Sequence, residues 1–275
     1  MEPRDYNYYE ANAADISLED ITSSKRNAQL LRRLCDGDWR SCAKELTLGR
    51  VGGWATHFHI GEGDDLGWLG YFIGNSEYLR ALNIHYLPED ERGEQQIDAF
   101  MDGLARNQSI RTLGLNSLGD YGSTATLRVL GNLTQLEKIV IHNNNLDHNG
   151  CSALGTLLQS GFSKLEMLHL QFTNIDDDGV AALAIGLRSI GPSLKTLGLP
   201  DNSIGNEGLS TLVAALESCT SLERLDLSHN DFSLAAVGLR TLSDWLQTVV
   251  LNLDGLYLQG CDINDEGLQA FAEGA

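Results

Sequence analysis

Basic residues are scarce in this chain: 19 Lys and Arg stand against 38 Asp and Glu, a formal net charge of −19 over 275 residues. That balance argues against nucleic acid, whose phosphates need Lys and Arg to neutralise them, and against anionic membrane surfaces. It leaves room for basic protein partners, whose attraction fades as salt rises. The five cysteines (Cys35, Cys42, Cys151, Cys219, Cys261) contain no C-x-x-C pair and are odd in number. They fit reduced thiols inside a cell better than a disulfide framework. The opening "MEPRDYNYYEANAADISLED" lacks the apolar core of a signal peptide, and no run of 18 apolar residues occurs. A soluble cytoplasmic or nuclear protein is expected. Catalytic motifs are missing as well: there is no G-x-S-x-G, no G-x-x-x-x-G-K-S and no H-E-x-x-H. The chain reads as a non-enzyme without a cofactor or a metal.

What is present is leucine in a recurring pattern. "SLERLDLSHN" at Ser221–Asn230 spaces its leucines at i, i+3 and i+5, which suits neither an amphipathic helix nor a freestanding strand. The pattern returns with leading apolar residues Leu79, Ile110, Leu136, Leu165, Leu194, Leu222 and Leu253, spaced 31, 26, 29, 29, 28 and 31 apart, and in degenerate form from Ala43. In five copies a glycine falls 14 residues after the leading position: Gly93, Gly150, Gly179, Gly208 and Gly267. The copy at Leu222 is out of step, with Ala236 there and Gly238 two residues later. An amphipathic run follows each glycine, so each unit is a strand, a turn and a helix. One such unit cannot bury its own apolar side, so neighbours must stack. Helices are wider than strands, so the stack bends. The expected fold is a right-handed α/β solenoid, a horseshoe with a parallel sheet on its concave face and helices on its convex face.

The pattern L-x-x-L-x-L-x-x-N-x-I, with a 28–29-residue period and a following G-x-x-x-L-x-x-x-L, resembles the ribonuclease-inhibitor-like class of leucine-rich repeats. The resemblance runs over roughly residues 43–275 and implies a protein that holds another protein. A second reading it implies is a GTPase activator of the Ran-activator type, for which Arg50, just after the first strand, is the arginine available. A third is a ligand-sensing segment of a larger receptor. The repeat asparagine stands at Asn144, Asn202 and Asn230, with Thr173 and Cys261 in its place elsewhere, and is expected to satisfy backbone groups where strand bends into turn.

Residues 1–21 are polar, acidic and aperiodic and are expected to be disordered or loosely packed. Residues 22–42 read as a capping helix with Ser23 or Ser24 at its N-cap and Leu30, Leu31 and Leu34 on one face. Residues 43–275 form the repeat domain of about eight repeats, the first degenerate with an insertion and the last incomplete. Within the insertion "GWATHFHI" is an extra strand or a hairpin, followed by a helix with Leu66, Leu69, Phe72 and Ile73 inward and Trp68 on its flank. The chain stops inside a helix whose Leu268 and Phe271 should be buried, which points to a fragment of a longer array or an end covered by another subunit.

Alternation places three rows of side chains on the open face of the sheet. They carry the candidate contact residues His85, His142, Met167, His169, Gln171, Arg224, Asp226 and Tyr257, with Phe172 and His229 just past strand ends. Polar contact with a protein is the expected role of the histidines, since no Cys or carboxylate completes a coordination set beside them. Acidic residues gather in the strand-to-helix turns, and Asp176, Asp177 and Asp178 stand in a row. Helix capping explains such acids one at a time but not three together, so a basic partner along this rim is expected. "DDDG" lacks the alternating carboxylates of a calcium loop.

Overall fold

Each leucine triplet forms a short parallel strand, and each glycine-led run forms a helix that returns the chain to the next strand. The computed structural model describes residues 4–37, 44–49, 56–60, 65–88, 91–248 and 253–274, with the side chains of 91–93, 120–123 and 248 excepted. The chain divides into two compact units, Met1–Leu136 and Glu137–Ala275, which share the repeats of the expected 43–275 domain.

The first unit opens with helices α1 (Tyr6–Asn12), α2 (Leu18–Ile21) and α3 (Lys25–Asp36). The described part of the segment expected to be loose, residues 4–21, thus carries two helices. Tyr6 and Tyr9, three apart on one face of α1, are buried, and the Tyr9 ring packs edge-on against Trp68 at 5.0 Å. Two aromatics in a polar run suffice for docking because large rings bury much area each. Ser24 caps α3 by accepting from the Asn27 N–H, and Leu30, Leu31 and Leu34 face inward.

The strands β1 (Glu45–Gly49), β2 (His57–His59), β3 (Ala81–Ile84) and β4 (Thr112–Asn116) lie in the order β2-β1-β3-β4, all parallel. The inserted segment therefore supplies an extra strand outside β1 and no hairpin, whose strands would run antiparallel. Its outer edge is met by α3. Asn27 Nδ2 donates to the His59 carbonyl (2.7 Å), while its Oδ1 accepts from the His59 N–H (3.0 Å). A side-chain amide here pairs as another strand would, which removes the hazard of an open edge. The helices are α4 (Asp65–Asn75), α5 (Glu91–Leu104) and α6 (Gly119–Leu130). Trp68 of α4, expected on the flank, is buried because α1 covers it. Arg50 and Trp54 lie outside the described residues.

In the second unit β5 (Lys138–His142), β6 (Met167–Gln171), β7 (Thr196–Gly198), β8 (Arg224–Asp226) and β9 (Gly255–Tyr257) pair in parallel in chain order. They alternate with α7 (His148–Gly161), α8 (Asp177–Ile190), α9 (Asn206–Leu216), α10 (Ala236–Thr248) and α11 (Asp265–Gly274). The inward residues Ile139, Ile141, Leu168, Leu170, Leu197, Leu199, Leu225 and Leu227 are at most 2% exposed. Full burial of such a side chain stabilises by about 1.5–3 kcal/mol.

The asparagines close the turns. Asn202 Nδ2 donates to the Leu170, Leu199 and Pro200 carbonyls, and its Oδ1 accepts from the Thr173 and Ile175 N–H groups (2.8–3.1 Å). Asn230 does the same one repeat on, donating to Leu199 and Leu227 and accepting from Ile204. The Cys261 thiol donates to the Leu227 carbonyl. The recurring glycine sits where a cap meets a crowded helix start. The Gly179 N–H donates to Asp176 (2.8 Å), and a Cβ on Gly179 would press on Cys151 Sγ and Ile175 at 3.2 Å. In the out-of-step repeat Gly238 donates instead to Asn206 Oδ1 of the preceding repeat at 2.9 Å.

At the last repeat Leu268 is 55% exposed and Phe271 half-buried, against the expectation that both are core. α11 packs on α10, and no further helix among the described residues covers its other side. No helix among them is long and apolar enough to cross a membrane.

Candidate functional site

The open face of the second unit's sheet has the register that alternation predicts. Lys138, Met167, Thr196, Arg224 and Gly255 form one row, and Val140, His169, Gly198, Asp226 and Tyr257 the next. His142 pairs with Gln171 in a third. Met167, His169, Gln171 and Asp226 are half-buried, whereas Arg224 is exposed and Tyr257 is 50% exposed. The His169 ring lies on Gly198 of the neighbouring strand, in space that any side chain there would fill. Burial holds the His169 pKa below the ordinary imidazole value, with Asp226 opposing and His142 adding to the shift. Gln171 Nε2 donates to Asp201 (2.9 Å). Among the described residues no three His, Cys, Asp or Glu side chains group as a metal site.

Just past β6 the chain takes a left-handed turn, as it does at the same place in every repeat of this unit: Asn143, Phe172, Asp201, His229 and Gly260 all have φ between 52° and 67°. Asn, Asp, His and Gly tolerate that conformation; a bulky aromatic there is an outlier. Phe172 is nevertheless 49% exposed, its ring edge-on to His142 at 5.7 Å. Composition and period gave no sign of this strain.

The rim separates from the face. Asp176 caps its own helix, and Asp177 Oδ1 accepts from the Gly205 N–H of the following turn (2.6 Å). Two of the three consecutive aspartates are thus explained by backbone capping, the second by a bond between repeats. Asp178 is exposed. His229 belongs to the rim, its ring over Gly260, where it helps line a groove of about 700 Å³.

His85 belongs to the first unit. It is exposed beside His57, whose ring lies over Gly49. His57 is 7% exposed, and neither ring nitrogen has a hydrogen-bond partner among the described residues. Sequence reasoning missed His57, because alternation puts it on the open face beside Thr47.

The family model described as "Leucine Rich repeat" matches residues 163–184, 192–213, 218–242 and 252–272. These four stretches are leucine-rich repeats. Each matched stretch takes in one strand of the second unit and the first part of the helix that follows it. No curated protein matches the chain. Among solved structures, an internalin from Listeria monocytogenes str. 4b F2365 is 17% identical over 79% of this chain and 64% of its own, with a TM-score of 0.45. The chain therefore spans less than two thirds of that internalin's length. A protein from Bacteroides fragilis is 13% identical over 93% of this chain and 75% of its own, also with a TM-score of 0.45.

Proposed function

We propose that the chain is a non-catalytic scaffold that holds a protein partner on the open sheet face of its second unit. Met167, His169, Phe172 and Tyr257 act as anchors, and His142, Gln171, Arg224 and Asp226 supply polar contacts. The observation that carries this reading is Phe172. A left-handed backbone costs a bulky residue about 1–2 kcal/mol, and half of the ring stays in water. Folding gains little from such an arrangement; recognition gains a rigid, exposed aromatic of the kind that dominates interface energetics. Exposed acids, Asp178 among them, favour a basic partner. Cys35, Cys151, Cys219 and Cys261 are free thiols, which supports a reducing compartment, cytoplasm or nucleus.

The test separates stability from binding. Phe172→Asn should leave the folding free energy unchanged or raise it by about 1 kcal/mol, because Asn accepts the left-handed turn. The same change should weaken partner capture by roughly thirtyfold, a loss of about 2 kcal/mol. Wild type and variant would be compared in pull-downs at low and high salt, with captured proteins identified by mass spectrometry and stability followed by urea unfolding. An identical captured set from both proteins would remove the sheet face as the site.

A further inference from the structure

The out-of-step repeat carries a surface that the sheet face does not use. Its two extra residues fall between Phe232 and Gly238. Phe232 and Ala235 are buried in the core, while Leu234 between them is 86% exposed and Val237, in the first turn of α10, is 65% exposed. In the two preceding repeats the position of Leu234 holds Asp177 and Asn206, each of which accepts a backbone N–H of the following repeat. Leu234 cannot make that bond. The loop that presents it is held by others: Asp231 Oδ1 accepts from the Ser233 N–H (3.0 Å) and Asn264 Nδ2 donates to the Ser233 carbonyl (2.6 Å). A large aliphatic side chain thus stands in water on a braced backbone, which lowers the ordering cost of docking.

Leu234 lies at the edge of the rim groove of about 700 Å³, whose lining includes Asn206, His229, Asp231, Gly260 and Asp262. Its charged residues are both carboxylates, and no Lys or Arg among the described residues lines it. The Ser233 hydroxyl and then its N–H hold the Asp231 carboxyl below its usual pKa, so that group stays ionised.

We propose that this groove docks a short basic–aliphatic segment of a protein partner, with a Leu, Ile or Val side chain against Leu234 and Val237 and a neighbouring Lys or Arg between Asp231 and Asp262. The proposal rests on the reading of the chain as a protein-binding scaffold, but not on the sheet face. Charge complementarity selects the occupant: an acidic segment would be repelled, and a wholly apolar one would leave two carboxylates desolvated without partners.

The test is selection of a phage-displayed random peptide library on the whole chain, followed by fluorescence anisotropy with the selected synthetic peptides. The expected winners pair Lys or Arg with an aliphatic residue. They should lose at least tenfold in affinity against Leu234→Asn and against the double variant Asp231→Asn/Asp262→Asn, and bind more weakly at high salt. Leu234 is too exposed for its replacement to disturb folding, and an unchanged thermal midpoint would verify this. Phe172→Asn should bind these peptides as wild type does, so failure of the sheet-face reading would leave this result standing. Winners that are acidic or uncharged, affinity that survives Leu234→Asn, or no enrichment above background would each overturn the proposal.

Discussion

At the scale of single residues, a buried imidazole ties stability to pH. Burial first, then the charges of His85, His59 and Arg26, hold the His57 pKa below its ordinary value, and His169 is shifted the same way. The unfolded chain therefore takes up more protons than the folded one as pH drops below about 6.5. The contribution of these neutral rings is complete above that value and is lost as pH falls toward the lower folded values. Wild type should show a falling urea midpoint between about pH 7.5 and pH 5.5. His57→Phe, which keeps a ring on the strand and removes the titration, should show a smaller fall. Equal falls in the two proteins would exclude His57 as a source of the acid sensitivity.

At the scale of the element, the turn asparagine links one strand-turn-helix unit to the next. Asn202→Leu leaves the Thr173 and Ile175 N–H groups and the Leu170 carbonyl without this partner. With about 1–3 kcal/mol for each buried group left unsatisfied, a loss of about 3 kcal/mol or more is expected in urea unfolding. The exposed Asn145→Ala should stay within about 0.5 kcal/mol. Elements were legible in the sequence where a period carried them. Strand register, helix starts and the displaced Gly238 follow from spacings that stacking enforces. α1 was illegible because its buried face is only Tyr6 and Tyr9, and the parallel pairing of β2 because no local pattern says which edge a strand will join. Leu268 misled because an apolar residue at helical spacing is buried only when something packs over it. At the site, alternation gave the rows of the sheet face. It could not show the left-handed backbone of Phe172, which is a property of φ, nor the exposure of Leu234, which reads as core by residue type.

At the scale of the whole molecule, a formal charge of −19 makes the compact state repel itself, most strongly at low ionic strength. Aspartates and glutamates exposed in the strand-to-helix turns, such as Asp147, Asp178, Asp262 and Glu266, concentrate that repulsion. The thermal midpoint should rise as NaCl is increased toward about 0.5 M, where the Debye length shrinks to a few ångströms. A flat or falling midpoint in a calorimetric salt series would mean that local ion pairs, such as Lys195–Glu166, outweigh the general field.

The late start of α10 bears on how a chain of this kind can change its partners. A coil in such a stack answers mainly to the coils beside it, so two residues added in one bend are absorbed there while the neighbouring strands keep their register. New recognition can therefore arise by lengthening a single bend, with the aliphatic wall left untouched. Excising two residues from 233–237 should conversely restore the period, shift α10 back into line and erase the groove in one step.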